Sequence, residues 1–326
     1  MKKRLLGSSK LDISEVGLGC WQLGGDFGPV SDSNANAIIE TALEQGVTFF
    51  DTADVYGAGK SESYLGEALA NAPAEIKIAT KYGRGPGTYP DGYTLQDMRD
   101  SVRRAQDRLK RDCIDLIQLH CVPTEVMRHG EIFDHLRTVQ QEGHIAHFGA
   151  SVETIEEALI CVEHDDLTSL QIIFNLLRQR PVKDLFSQAL AREVGIIVRL
   201  PLASGLLSGK YSASTTFDAT DHRNYNKDGA AFSVGETFSG IEFSKGLDLV
   251  ATLEGKKPEG YSMAQFAMRW ILDQEAVTTI IPGASSPAQV ISNVSVSELA
   301  PLPADLHSDL YDFYLQEVES LIRCPI

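Results

Sequence analysis

Short apolar runs alternate with amphipathic stretches along almost the whole chain. Eight such runs, at 15–20, 48–53, 77–82, 115–120, 145–152, 169–175, 195–200 and 278–283, have the length and β-rich content of strands. They are apolar on both parities, as in Leu116-Ile117 with Leu119, or Ile196-Ile197-Val198. Parallel strands covered on both faces read this way, whereas half-exposed antiparallel strands alternate. Between the runs the spacing turns helical. Ala37, Ile38, Ile39, Thr41, Ala42 and Leu43 form one such segment, and Met98, Val102, Ala105 and Leu109 share one face of another. Eight β-then-α units predict an α/β fold, a closed (β/α)8 TIM barrel in one domain over residues 1–326. An open doubly wound sheet would want a GxGxxG turn with an acidic residue about 20 positions on, and neither Gly24-Gly25 nor the glycine-rich stretch 83–87 has that spacing.

Two segments exceed a minimal barrel. Residues 4–13 read as a small N-terminal β-hairpin able to plug the barrel bottom. Residues 203–241, after the seventh strand, are rich in Ser, Thr, Gly and Asp and too long for a connector, so they predict a functional loop.

Composition narrows the function classes. The 326 residues, 43% hydrophobic, suffice for one barrel with additions. Lys and Arg number 29 against 45 Asp and Glu, and the net charge of −16 repels phosphate backbones and anionic membrane surfaces. Nucleic acid and membrane are therefore not expected partners. No run approaches the ~18 apolar residues of a membrane span, and Leu5-Leu6-Gly7 is too short for a signal-peptide core, so a cytoplasmic location is expected. Cys20, Cys113, Cys121, Cys161 and Cys324 contain no CxxC pair and support neither a disulfide framework nor a zinc ribbon. His144 and His147 stand at the start of a strand, on the barrel face that carries stability, and no metal site is expected.

In a (β/α)8 barrel the chemistry gathers where strands end. Asp51 ends the second run, Tyr56 follows in its loop, Lys81 ends the third run and His120 the fourth. Reducing a carbonyl develops negative charge on oxygen, which must be stabilised and protonated. A free phenol, with a pKa of ~10, is a poor acid for this near neutrality. A neighbouring ammonium at Lys81 would lower that value, Asp51 would hold the ammonium charged, and neutral His120 could orient the carbonyl.

Asp51-Thr52-Ala53-Asp54-Val55-Tyr56-Gly57, Lys81 and His120 resemble the Asp-Tyr-Lys-His tetrad of the aldo-keto reductase superfamily, and the similarity runs over nearly the whole chain. The chain is similar to the bacterial branch of inositol-utilisation-type reductases and to potassium-channel β subunits. This resemblance implies an NAD(P)H-dependent oxidoreductase that reduces an aldehyde or ketone, of sugar or polyol type, with Tyr56 as general acid. It further implies a dinucleotide laid across the strand ends. Gly283, Ser285, Gln289 and Asn293 would meet its adenosine phosphate, Ser151 and Gln171 its carboxamide, and the segment with Arg199, Leu200, Pro201 and Leu202 its pyrophosphate, with Cys20, Trp21 and Asp51 alongside and Lys210 and Arg223 as the candidate cations for a 2′-phosphate. Trp21, Tyr56 and His120 would face the small-molecule substrate, and Asp26, Arg84, Arg178 and His222 could bind its hydroxyls.

Three departures from the family pattern touch the cofactor. Ser285 and Ser286 stand where many relatives carry a cation for a 2′-phosphate; NADP is the expected dinucleotide and NAD the alternative. Val152 stands where relatives have Asn, with Asn175 a candidate replacement. Arg199 replaces a stacking aromatic, and its charge would favour the reduced ring. A redox-sensing regulatory subunit similar to the channel β subunits is the second reading, against which His120 stands, because those subunits commonly have Asn there. The substrate, the direction of reaction and the oligomeric state stay open at this level.

Overall fold

The computed structural model describes residues 1–326. An antiparallel pair opens the chain, β1 (Lys3–Leu5) with β2 (Asp12–Ser14). Eight strands follow: β3 (Leu18–Gly19), β4 (Phe49–Asp51), β5 (Lys77–Tyr82), β6 (Ile114–His120), β7 (Ile145–Ser151), β8 (Ser169–Ile173), β9 (Gly195–Arg199) and β10 (Val277–Ile280). They pair in parallel, each with its neighbours in sequence, in the order β3 to β10. The sheet meets itself along a seam: Gly17 N–H donates to Ile280 O at 2.8 Å, Ile280 N–H to Glu15 O at 3.0 Å and Gly19 N–H to Pro282 O at 3.1 Å. A side chain at Gly19 would place its Cβ 2.5 Å from Ile281 O, so the seam needs a glycine there.

The eight expected strands are the eight observed, with the first trimmed to two residues and a bridge at Val16. Apolarity on both parities has the predicted cause. Leu6, Ile13, Phe49, Ala79, Leu116, Ile197 and Ile281 pack inside the barrel, while the opposite parity meets helices in a second, larger cluster. Burying each such side chain stabilises the fold by about 1.5–3 kcal/mol. The predicted helical faces bury as read: Ile38, Ile39 and Ala42 from helix Asp32–Glu44, and Met98, Val102, Ala105 and Leu109 from helix Leu95–Leu109. Ser31 and Thr94 cap the two helices through the backbone N–H groups of Asn34 and Asp97.

Leu6 and Ile13 of the hairpin are fully buried in the inner cluster, which makes it the plug that the sequence predicts. Arg4 fastens it, donating to Val277 O at 2.7 Å and Leu272 O at 2.8 Å and pairing with Glu15 at 2.6 Å. At the other end, residues 203–241 cross the mouth as short turns and one helical turn, His222–Tyr225. His222 N–H reaches back to Asp26 O at 2.9 Å. The tail pins the same loop through Arg323, whose Nε donates to Gly240 O at 3.0 Å, and is itself held by Arg178 after β8, whose Nη2 donates to Pro325 O at 3.2 Å. No helix is long and apolar enough to cross a membrane.

Candidate active site

Parallel pairing in register sets the C-terminal ends of β4, β5 and β6 side by side, and their last polar residues converge. Lys81 Nζ donates to Asp51 Oδ1 at 2.6 Å, to Thr52 O at 2.8 Å and to Tyr56 Oη at 3.3 Å. Asp51 and Lys81 are 3% and 1% exposed at their side chains, so the pair is withdrawn from water. Gln118 and Gln171 supply the remaining donors to Asp51 Oδ2, at 2.9 and 2.7 Å, and the carboxylate is satisfied on both oxygens. Gln118 was not among the residues singled out in the sequence; its signal is a lone amide inside the apolar run Leu116-Ile117-Gln118-Leu119.

Burial alone would push the Lys81 ammonium down, but the charges of Asp51 and then Tyr56 outweigh it and hold the value above that of a free lysine. For Tyr56 the balance differs from the expectation of a lowered pKa. Burial pushes the phenol up, Lys81 opposes it only in part, and the result is about 12. The phenol therefore stands protonated at neutral pH, in the form a general acid needs. His120 is pushed well below its ordinary range, first by burial and then by Arg84, Lys81 and Arg199, and stays neutral. Its Nδ1 is buried without a protein partner.

Trp21 stacks on Tyr56 with centroids 5.9 Å apart and meets the tilted ring of His222 at 4.7 Å, while its Nε1 donates to Asp26 Oδ2 at 2.9 Å. An ionic group also acts on Tyr56 and His120. Arg84 pairs with Glu153 at 2.9 Å and Glu236 at 3.3 Å, and Arg199 with Glu236 at 3.4 Å and Val152 O at 3.1 Å. Glu236 comes from the long loop, 152 positions from Arg84, and no local pattern announces it. Cys121, Glu153 and Glu236 could approach a cation, their ligand atoms lying within 4.8 Å of one another. Arg84 and Arg199 already neutralise both carboxylates, so the group reads as an ion-pair network.

The remaining expected residues divide. Gly283, Ser285, Gln289 and Asn293 gather at one turn: Gln289 Oε1 accepts from Ser285 N–H at 2.8 Å, and Asn293 Nδ2 donates to Gly283 O at 3.2 Å. Helix Pro287–Val294 starts here with Ser286 as its cap. Ser151 Oγ donates to Gln171 Oε1 at 3.4 Å, which ties both to the Asp51 cluster. Leu200 turns with φ 52° and leads into Pro201 and Leu202; its carbonyl accepts from Asn175 Nδ2 at 3.0 Å. Lys210 is exposed and makes no ion pair.

Four side chains are engaged elsewhere. Cys20 is fully buried; its N–H donates to Asp51 O at 2.8 Å and its carbonyl accepts from Ser61. Arg223 is held by Asp221, with its Nε 2.9 Å from Asp221 Oδ1, and lies over the rings of Phe27 and Phe217, so it is no free cation. Asn175 binds Leu200 O and Ser239 Oγ, both at 3.0 Å, and is not available as a substitute amide. Arg178 is 3% exposed and serves the tail, so it does not bind hydroxyls in the cleft.

Two observations fit a dinucleotide. The positive end of helix Pro287–Val294, behind its Ser286 cap, is suited to a phosphate, and His120 Nδ1 and Arg199 Nε are buried polar atoms without a protein partner.

The sequence model of the aldo/keto reductase family matches residues 15–314. Among curated proteins, the chain is 29% identical to the uncharacterized oxidoreductase YqkF of Bacillus subtilis, over 95% of this chain and 98% of that one. It is 25% identical to L-galactose dehydrogenase of Arabidopsis thaliana, over 98% and 94%. A probable voltage-gated potassium channel subunit beta of Arabidopsis thaliana is 26% identical, over 99% and 97%. Among solved structures, the aldo-keto reductase AKR11C1 of Bacillus halodurans in its holo form superposes with a TM-score of 0.78 at 27% identity, covering 98% of this chain and 100% of that one. The glycerol dehydrogenase AKR11B4 of Gluconobacter oxydans does so with a TM-score of 0.78 at 29% identity, covering 99% and 97%.

Proposed function

Because the chain belongs to the aldo/keto reductase family and is an oxidoreductase of the NAD(P)H-using kind, we propose that it reduces an aldehyde or ketone to the alcohol with Tyr56 as general acid. The observation that carries the reading is the contact chain Asp51–Lys81–Tyr56, at 2.6 and 3.3 Å, beside a neutral His120. A bound nicotinamide supplies the hydride. Tyr56 gives its proton to the developing alkoxide, the Lys81 ammonium stabilises the phenolate left behind, and Asp51 keeps that ammonium charged and in place. His120 sets the carbonyl oxygen between itself and Tyr56.

Residues 1–326 act as one domain in the cytoplasm on a small polyol- or sugar-type carbonyl compound. NADP is the dinucleotide we favour over NAD, with Lys210 as the cation for its 2′-phosphate, since Arg223 is engaged by Asp221. The retained His120 and the complete proton apparatus support an enzyme over a regulatory subunit.

Tyr56→Phe tests the reading. It should abolish NAD(P)H oxidation with any carbonyl substrate while cofactor affinity, read by fluorescence titration, changes less than threefold, because the hydroxyl acts on charge present only in the transition state. Retained turnover refutes the assignment. Lys210→Ala should weaken NADPH and leave NADH unchanged in the same titration.

A further inference from the structure

Side chains two positions apart share one face of a strand. Gln118 follows Leu116 in this way, as Asp51 follows Phe49 and Lys81 follows Ala79, so all three stand one layer above the inner apolar cluster. Gln171 of β8 joins them there, and Gln118 and Gln171 are 0% and 1% exposed. A buried amide costs free energy unless its polar groups are met, and here the partners dictate which way each amide is turned. Asp51 Oδ1 is taken by Lys81, while Oδ2 lies 2.9 Å from Gln118 Nε2 and 2.7 Å from Gln171 Nε2. A carboxylate only accepts, so both amides must point their NH2 groups at it. With its nitrogen so held, Gln118 presents Oε1 to its neighbour and accepts from Gln171 Nε2 at 3.1 Å. Gln171 then has no N–H left. What it still offers is Oε1, which accepts from the Ser151 hydroxyl at a long 3.4 Å.

We propose that Gln118 is a positioning residue that fixes the polarity of Gln171, so that Gln171 meets the cofactor as a hydrogen-bond acceptor and selects a ring substituent carrying an N–H. This rests on the reductase reading, in which Gln171 meets the carboxamide. It goes further by naming the half of the carboxamide that is read and the buried residue that decides it.

Gln118 acts through two neighbours at once. Its N–H helps to hold Asp51, whose other oxygen holds Lys81, and Lys81 in turn reaches Tyr56. Its carbonyl consumes the N–H that Gln171 would otherwise show. An apolar residue in its place would leave Asp51 Oδ2 with Gln171 as its remaining donor and deprive one N–H of Gln171 of its acceptor. A buried N–H without an acceptor is costly, and the amide relieves that cost by turning the N–H toward a ligand that accepts.

The test titrates the full chain by calorimetry with NADP and NAD, each against its 3-acetylpyridine analogue, in which a methyl ketone replaces the carboxamide and no N–H remains. The unaltered protein should bind the carboxamide form about tenfold more tightly or better, because the analogue leaves a buried acceptor unpaired. Gln118→Leu should bring that ratio within about threefold, chiefly by tighter binding of the analogue. A residue of purely structural value would weaken both ligands and leave the ratio unchanged. Gln118→Glu should keep the original ratio at low pH, where a carboxyl so close to Asp51 holds its proton, donates its O–H to Asp51 and accepts from Gln171. The ratio should then fall as the pH rises and that proton leaves. In the cofactor-free protein, the side-chain amide of Gln171, identified by nuclear magnetic resonance through the signal that Gln171→Leu removes, should show two slowly exchanging protons, and Gln118→Leu should expose at least one of them. Should Gln118→Leu not fold, the ratio and the amide exchange of the unaltered protein decide by themselves. Equal affinity for both forms, a freely exchanging Gln171 amide in the unaltered protein, or a ratio that a folded Gln118→Leu leaves unchanged overturns the proposal. Binding of no dinucleotide would sink the reductase reading instead, while the exchange measurement still decides how Gln171 is turned.

Discussion

Replacing Lys81 by Met removes one charge from the centre of the site at nearly constant volume. At 3.3 Å from the phenol oxygen and an effective dielectric of ~20, the ammonium stabilises a full phenolate by about 5 kcal/mol. If half of that charge has developed in the transition state, the barrier rises by about 2.5 kcal/mol, or roughly 70-fold in rate. The assay is single-turnover oxidation of bound NADPH, which separates chemistry from product release. In the alcohol-oxidising direction, the phenolate limb of the pH profile should move to higher pH, because Lys81 is what holds the phenol down against burial. Lys81→Met also strands the buried Asp51 carboxylate, at a cost of about 3–5 kcal/mol in stability. Asp51→Asn combined with Lys81→Met removes that penalty, so it should recover most of the stability and none of the rate. A folded Lys81→Met protein that keeps more than a tenth of the original rate would refute the proton-transfer assignment.

Further consequences can be checked by denaturation. Glu62 is fully buried and paired with Arg108 at 2.6 Å, so Arg108→Met should lower stability by about 3–5 kcal/mol, read from the urea midpoint. Gly66→Ala should destabilise despite a helix-propensity gain of about 1 kcal/mol, since the new Cβ would lie 2.0 Å from Arg108 O, and a neutral or higher midpoint would refute this packing. His120 is lowered in the folded state by burial first, so its contribution is present above its unfolded pKa of ~6.5 and is lost as pH falls below it. His120→Asn should therefore flatten the stability–pH slope between about pH 5 and 6.5 by up to one proton, and an unaltered slope would contradict a neutral buried imidazole.

The barrel is legible in the chain because strand and helix patterning are local, and the candidate proton-handling residues are legible because Asp51, Lys81 and His120 close apolar runs and Tyr56 follows in the loop after the first of them. What escapes is made by contacts between distant segments. Glu236 sits in a stretch of Ser, Gly and Thr with no periodicity, and only the closed mouth shows that it meets Arg84 and Arg199. Arg223 reads as a free cation because Asp221 is an equally plausible solvated neighbour; the rings of Phe27 and Phe217 that bury it come from elsewhere. The lowered phenol pKa expected from Lys81 fails for a related reason. Proximity to a cation is visible in sequence order, whereas the desolvation that outweighs it depends on how Trp21 and the loop enclose the ring.

The seam between β3 and β10 has a kinetic consequence. Gly17 N–H donates to Ile280 O at 2.8 Å across it, joining the two ends of the chain, so this closure carries the heaviest loop entropy of the barrel and its reward comes late in folding. Trp21 follows the seam by two residues and the Gly283 turn lies on its other side, bridged to Gly19. In a refolding time course, amides of β5, β6 and β7 should acquire protection from exchange while the rings around Trp21 and the Gly283 turn are still unformed. Catalytic competence would then return as the last event, and its lag behind backbone protection would time the joining of the two ends.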